Sequence, residues 1–218
     1  MQIQLTSDLK NLYPESIFGS LIIRNFPNIQ SHETLEKKKR DLERRIKEGE
    51  GEVERSIMIK KYDSYFKQWK KTYPIEFQIK TIKAGRRFPK VSALVDVMFL
   101  AELNSCILTS GHDLDKIQGN LTFDVSSGGE NYLKLNNQEQ KLKQSDVILN
   151  DEEGLLASIL YGPARRTSIT MKAKNALYFA WCPYVTDEGL IKAHLNEILS
   201  YISNISETIT SEIRLIRS

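Results

Sequence analysis

The segment Val91–Leu103 constrains this chain most, because its side chains are apolar almost all the way round a helix. Ser92 and Asp96 lie four residues apart and so share one face, and Glu102 is the remaining exception. A helix without a continuous polar face is a buried helix. Other elements must therefore surround it, and 218 residues are enough to do so without disulfides or a structural metal.

A β-rich region between Gly119 and Cys182 supplies part of that cover. Two earlier runs, Leu21–Phe26 and Ile75–Lys80, also read as strands, and a closing helix is predicted with Thr186 as its cap. Strands and helices do not alternate strictly, so the sequence predicts an α+β fold with mixed sheets and flanking helices. The predicted strands of the β-rich region are Asn120–Val125, Tyr132–Leu135, Val147–Asn150, Leu155–Tyr161 and Ala176–Cys182.

A charged helical arm is predicted at residues 31–73, within a single domain that spans residues 1–218. Ser31 is the expected N-cap, and glycines 49 and 51 divide the arm into a helical hairpin or a kinked helix. The basic run at 37–40 is read as a solvated helix face rather than a phosphate site, because acidic residues flank it. The second helix carries an apolar stripe that packs either on the chain's own core or in a homodimer: Met58, Tyr62, Tyr65, Phe66 and Trp69.

Several classes of protein are excluded at this point. No apolar run approaches the roughly 20 residues that span a bilayer, and the first ten residues lack the pattern of a secretory signal. Cys106 and Cys182 lie in apolar stretches and are expected to be reduced, buried residues of a cytoplasmic protein. The three histidines show no ligand spacing with the cysteines, and no phosphate-binding or dinucleotide motif occurs, so neither metal nor cofactor is expected.

Charge is distributed in bands, although the net charge is only +3. Residues 32–72 and 73–93 each carry +4, residues 94–155 carry −7, and residues 156–186 carry +4. Banding of this kind creates local fields that the net charge conceals. It suits a ligand with an ammonium group at one end and phosphates at the other.

The densest polar cluster, Thr109–Lys116, follows the buried helix directly. We expect a polar loop there, which either places side chains at the floor of a pocket or forms a simple structural turn. His112 is a candidate general base within it, because the pKa of a histidine lies near neutrality.

Two basic clusters are candidates for phosphate recognition. Arg165 and Arg166 lie on a Gly-Pro loop, and an ion pair with the acidic turn at 151–153 is an equally good reading of them. Arg86 and Arg87 lie on a segment punctuated by glycine and proline, where exposed phosphate contact is favoured.

Taken in order, three segments resemble the B3/B4 domain of the β subunit of bacterial phenylalanyl-tRNA synthetase: Phe88–Val97, Asp113–Ile117 and Asp151–Gly154. The chain resembles more closely the proteins built from this domain alone, which have a similar Gly-His-Asp-Leu-Asp segment and a Tyr-Gly-Pro-x-Arg-Arg-Thr segment like Tyr161–Thr167. The resemblance covers most of residues 10–205, and the arm fits least well.

The chain departs from the synthetase pattern in two places. Met98 and Phe99 stand where the synthetase has Thr-Asn. Ser110 stands where the synthetase has its histidine, and the histidine here is His112. The resemblance therefore implies an editing pocket with a different lining and a different amino acid.

The function that the resemblance implies is binding of tRNA and deacylation, in trans, of mischarged aminoacyl-tRNA. His112 is expected to orient water or bind the α-amino group, with Ser110 and Thr109 as hydrogen-bond partners and Asp113 holding the ammonium or the histidine. The expected substrate- and RNA-binding residues are Arg86, Arg87, Ser92, Asp96, Arg165, Arg166 and Thr167. Two alternatives stay open: a non-catalytic RNA-binding module or synthetase adaptor, and a small-molecule amino-acid binder or hydrolase.

Overall fold

The computed structural model describes residues 1–218, which form six α-helices and eleven strands. The helices are α1 Ser7–Leu12, α2 Glu33–Glu48, α3 Glu52–Phe66, α4 Pro74–Lys83, α5 Ala93–Ser105 and α6 Glu188–Ser203. The strands are β1 Ile3–Leu5, β2 Ile17–Arg24, β3 Thr109–Asp113, β4 Leu121–Val125, β5 Asn131–Leu133, β6 Glu139–Lys141, β7 Val147–Asn150, β8 Leu155–Ser158, β9 Gly162–Pro163, β10 Ala176–Ala180 and β11 Thr210–Arg217.

Two larger sheets organise the fold. One has the strand order β1-β4-β7-β8-β9 and the other β11-β2-β10-β3, while β5 and β6 form a separate two-stranded sheet. All pairings are antiparallel except that of β1 with β4. Mixed sheets with helices around them confirm the predicted α+β class.

The two larger sheets pack face to face, and helices cover the far side of the four-stranded one. Between the sheets, the Phe18 and Phe123 rings stack with centroids 4.4 Å apart, and Phe123 also meets Phe179 edge-on. On the far side, the Tyr178 hydroxyl donates to the Leu94 carbonyl in α5. The result is three layers, with the buried helix α5 lying against the sheet as its sequence predicted.

The arm is a helical hairpin whose aromatic stripe packs on the chain's own core. Gly49 and Gly51 both adopt positive φ and make the turn between α2 and α3. Tyr62 and Tyr65 are buried, and their hydroxyls bond to strand ends: Tyr62 donates to the Trp181 carbonyl, and Tyr65 accepts from Val147 N–H. This stripe is therefore not a free surface for a homodimer, which stays a prediction for other parts of the arm.

Lys39 ties the hairpin to α5 through a buried ion pair. Its ammonium lies 2.5 Å from the Asp96 carboxylate and also contacts Glu36 and the Pro89 carbonyl. Lys39 is 3% exposed and Asp96 is fully buried, so the interpretation of the basic run as a solvated face is wrong for Lys39. The other three basic residues of the run, at 37, 38 and 40, are exposed as expected.

Several expectations about secondary structure are wrong. The run Ile75–Lys80 belongs to helix α4, because Pro74 begins a helix and Ile75, Ile79 and Ile82 then recur on its buried side. The polar stretch after α5 is not a loop: it forms strand β3 and a short 3-10 turn. The sequence also did not predict β1, α1 and β11. The N-cap of α6 is Asp187 rather than Thr186, and that of α2 is His32 rather than Ser31.

No helix in the structure combines the length and the apolar character that crossing a membrane requires.

We predict that Lys39→Met lowers the free energy of unfolding by about 3–5 kcal/mol, because it leaves the Asp96 carboxylate buried without a counter-charge. Urea denaturation measures the change. The matched control is Lys38→Met, one residue away and exposed, which should change stability by less than about 0.5 kcal/mol. Equal effects of the two substitutions would contradict a structural role for the Lys39–Asp96 pair.

Candidate functional site

Strand β3 positions most of the residues predicted to carry chemistry. It pairs antiparallel with β10, from Thr109 opposite Ala180 to Asp113 opposite Ala176, and it is the last strand of its sheet. Successive side chains alternate between the two faces of the sheet. Ser110 and His112 therefore share one face, and Thr109 and Gly111 share the face that carries α5 and α6.

His112 is fully buried and both of its ring nitrogens already have partners. Nδ1 lies 2.9 Å from the Thr167 hydroxyl, and Nε2 lies 2.9 Å from the Ser110 hydroxyl. Burial, with the Arg166 charge nearby, lowers the pKa of His112 to about 3. The imidazole is consequently neutral at physiological pH and has no free nitrogen, which differs from the expectation that it orients water.

The cavity nearest to these residues, called here the main cavity, has a volume of about 340 Å³ and a mostly apolar lining. It lies between α4, α5, the outer edge of β3 and the segment around β9. Thr109, Ser110 and Gly111 line it, whereas His112 and Asp113 do not. Its other lining residues are Pro74, Ile75, Gln78, Val91, Val95, Met98, Phe99, Glu102, Leu108, Leu135, Gly162, Pro163, Ser168 and Ile169.

The backbone of β3 presents unpaired groups to this cavity. Trp181 N–H donates to the Leu108 carbonyl, and Leu114 N–H donates to the Asn175 carbonyl, so the even-numbered residues face β10. Because backbone groups alternate along an antiparallel strand, Thr109 and Gly111 turn theirs toward the edge that has no neighbouring strand. Gly111 N–H and its carbonyl are thus available to a molecule in the cavity.

Glu102 closes one side of the same cavity. Its Oε1 accepts a 2.7 Å hydrogen bond from Thr109 N–H, and its side chain is buried. Burial raises the pKa of Glu102 to about 8, and the bond from Thr109 offsets only part of that effect. The carboxyl is therefore mostly neutral at pH 7, which makes the cavity an uncharged one.

Three of the predicted site residues are engaged in local structure. The Asp113 carboxylate accepts from Asp115 N–H at the 3-10 turn and pairs with Lys116 at 3.3 Å. Asp96 accepts from Val91 N–H in addition to its bond with Lys39. Ser92 precedes α5 and is buried, with no hydrogen-bond partner for its hydroxyl.

The four predicted phosphate-binding arginines differ in their freedom. Arg86 and Arg87 are exposed, and neither forms an ion pair. Arg166 forms two hydrogen bonds with Asp151, one of them 3.1 Å long, so the ion-pair reading holds for this residue. Arg165, next to Arg166 in sequence, is exposed. Thr167, the next predicted site residue, is buried, and its hydroxyl bonds to His112.

The structure thus brings only part of the predicted set together. Thr109 and Ser110 reach the main cavity, whereas His112, Asp113 and Arg165 do not line one concave site with them. Sequence reasoning missed Gly111 and Glu102. An acidic residue in an otherwise apolar helix was a signal for Glu102. The Gly111 backbone gave no signal, because any residue type except proline has an N–H.

No group of three or more histidine, cysteine, aspartate or glutamate side chains is arranged to hold a metal ion. Both cysteines are buried free thiols.

Known proteins that resemble this chain include two phenylalanyl-tRNA synthetase beta subunits. Over 67 residues it is 30% identical to the phenylalanine–tRNA ligase beta subunit of Mycoplasma pneumoniae, a match that spans 31% of this chain and 8% of that protein. Its fold is similar to the crystal structure of an N-terminal fragment of the phenylalanyl-tRNA synthetase beta subunit from Pyrococcus horikoshii, with a TM-score of 0.55 and 14% identity. That similarity covers 98% of this chain and 50% of the fragment.

The B3/4 domain family matches residues 64–184, a region that includes α4, α5, β3 and every residue that lines the main cavity. Because this match spans more than half of the sequence, the chain belongs to the B3/4 domain family.

Proposed function

We propose that this protein binds tRNA in the cytoplasm and hydrolyses, in trans, the ester of a mischarged aminoacyl-tRNA. The observation that carries the proposal is the main cavity, which combines an apolar lining with the open backbone edge of β3. The family, and the resemblance to phenylalanyl-tRNA synthetase beta subunits, support tRNA as the class of ligand.

Hydrolysis of such an ester needs a positioned water and a donor for the negative charge that develops on the carbonyl oxygen. Gly111 N–H is the donor that we assign, because it points into the cavity from a rigid strand. Thr109 and Ser110 line the same wall, but the Thr109 hydroxyl bonds to His194 and the Ser110 hydroxyl to His112 and Trp181. The Gly111 N–H and carbonyl are therefore the groups of this wall that we assign to hold the amino acid or the water. The terminal ribose hydroxyl of the tRNA assists the water, so the chain needs no nucleophilic side chain of its own.

His112 acts in this proposal as a positioning residue. Its bonds to Ser110 on β3 and to Thr167 on the 3-10 turn after β9, next to the lining residue Ser168, hold two sides of the cavity together. The Ser110 hydroxyl is fixed further by the Trp181 indole N–H, 2.9 Å away. These contacts orient Ser110 without placing the imidazole against the substrate.

The lining favours an apolar, uncharged amino-acid side chain. Met98 and Phe99 replace the polar pair of the synthetase pattern, and Val95 and Ile169 add to the apolar surface. Since Glu102 is neutral at pH 7, no ionised group of the cavity attracts a charged side chain.

A second candidate function is RNA binding without catalysis, as a module or a synthetase adaptor. The neutral, fully bonded His112 favours it, since no group in the cavity is a ready general base. Binding of tRNA together with an absence of hydrolysis would select this function.

We predict that a panel of mischarged tRNAs contains an apolar aminoacyl-tRNA that the wild-type protein deacylates. Gly111→Ala keeps the backbone N–H, but its methyl group enters the cavity wall beside the proposed oxyanion site, and the resulting misplacement of the ester should lower kcat at least about ten-fold. The new Cβ would lie 3.0 Å from Ile169 and 3.1 Å from Met98, so these two lining side chains must move by a few tenths of an ångström. Release of the amino acid from radiolabelled tRNA measures the rate.

Gly189→Ala is the matched control, because it changes a glycine in the first turn of α6, outside the cavity. It should leave the rate unchanged. Absence of wild-type hydrolysis across the whole panel would refute the catalytic part of the proposal.

We predict that the double substitution Arg86→Ala/Arg87→Ala weakens tRNA binding and its dependence on salt. Loss of two phosphate contacts reduces the slope of log affinity against log salt concentration by about 1.4–1.8. Filter binding at several salt concentrations measures the slope. Lys10→Ala/Arg24→Ala removes two exposed charges elsewhere and should leave the slope as it is in the wild type.

We predict that stability falls as pH rises from 6.5 to 8, and that Glu102→Gln abolishes most of this fall. The folded-state pKa of Glu102, about 8, lies above its ordinary value of 4.5, so the folded state binds more protons than the unfolded state in this window. Ionisation on raising the pH then costs about 1–2 kcal/mol across the window. Urea denaturation at four pH values gives the slopes, and parallel slopes for the two proteins would contradict a neutral Glu102.

A further inference from the structure

A second, smaller cavity adjoins the main cavity on the surface of α4 and α5. It has a volume of about 190 Å³ and shares Gln78 and Phe99 with the main cavity. Most cavities that hold whole small-molecule ligands exceed about 300 Å³, so this one suits a single ring system. We call it the side cavity.

Phe77 forms the outer wall of the side cavity and is unusually open for its size. Its side chain is 67% exposed, although it lies between the buried Ile75 and Ile79 on α4. A large aromatic ring at the mouth of a small cavity offers a flat face to another ring. Burial on the chain's own core does not explain why the ring stands there.

The same cavity is bordered by basic side chains that form no ion pair. Arg87 lines it, and Arg86 and Lys90 flank Arg87 in sequence. All three are exposed and form no ion pair. By contrast, two lysines of α4 form ion pairs. Lys80 lies 2.7 Å from Glu76, and Lys83 lies 2.7 Å from Glu52.

An aromatic face beside unpaired guanidinium groups complements a nucleotide. Bases stack on aromatic side chains irrespective of their identity, and arginine binds phosphate with its planar fork. An acidic peptide would complement the positive charges. It would not explain the exposed Phe77 ring or a cavity that has room for a single ring system. Charge and shape together favour the nucleotide.

We propose that the side cavity holds one unpaired nucleotide of RNA, with its base stacked on Phe77 and its phosphates on Arg86 and Arg87. The inference rests on the proposed function and deepens it. Because the two cavities share a wall, the nucleotide that carries the ester would lie in the side cavity while its amino acid enters the main cavity.

The test measures the affinity for a fluorescently labelled, uncharged single-stranded RNA hexamer that ends in adenosine, by fluorescence anisotropy. Phe77→Ala and Phe77→Leu should each weaken binding by about 5- to 100-fold, which is the usual range for one stacked base. Phe77→Trp should preserve it, since the indole also stacks. The contrast between leucine and tryptophan separates stacking from simple apolar contact.

Ile57→Ala is the control, because Ile57 is another exposed apolar residue on a helix, in α3. It should bind RNA like the wild type. Because the Phe77 and Ile57 side chains are exposed, their substitution should not unfold the protein. Thermal unfolding of each variant checks this.

The outcomes separate this inference from the proposed function. RNA binding that is the same in Phe77→Ala and the wild type would overturn the inference alone. Loss of ester hydrolysis with intact, Phe77-dependent RNA binding would leave the inference standing and refute only catalysis. Binding of an acidic peptide, with no binding of the RNA hexamer, would overturn the inference and leave the proposed hydrolysis to the panel of mischarged tRNAs.

Discussion

The fold depends on a constraint that strand β3 imposes, because an edge strand that lies inside a protein must satisfy its open backbone groups. Helix α5 supplies one partner, because Glu102 accepts from Thr109 N–H. Where the pairing of β3 with β10 ends, the Tyr62 hydroxyl of α3 accepts from Leu108 N–H and donates to the Trp181 carbonyl. A buried backbone group without a partner costs about 1–3 kcal/mol, so these contacts decide how closely the helices approach. At Gly111 the edge meets a cavity instead of a side chain, and that exception makes the candidate site.

The helical hairpin of α2 and α3 is part of the same solution. Tyr62 and Tyr65 reach from α3 to the ends of strands in the two larger sheets, while Lys39 reaches from α2 to the buried carboxylate of α5. The hairpin therefore fixes the helix that forms one wall of the main cavity. The hairpin is the part of the chain that resembles the family least. It nevertheless contacts α5 directly, and α5 lies in the segment in which the resemblance is clear.

Sequence patterns predicted elements wherever one periodicity dominated. The apolar run Val91–Leu103, the hairpin and most strands of the β-rich region were predicted with small errors at their ends. Ile75–Lys80 was wrong, because alternation over six residues does not distinguish a strand from a helix whose apolar residues recur every three or four positions. The resemblance identified the fold and the family. It did not reveal that His112 faces inward, since the side of a strand that is buried depends on which sheet packs against it.

The polar groups that β3 offers to the main cavity belong to the main chain, whereas the surfaces that set the size of the cavity are side chains such as Met98, Phe99 and Ile169. A substitution can alter these side chains and leave the main-chain hydrogen-bonding groups intact. A single substitution at one of these side chains can therefore change the size and shape of the cavity while its main-chain hydrogen-bonding groups stay in place. A site built on an open strand edge separates the evolution of selectivity from the preservation of chemistry.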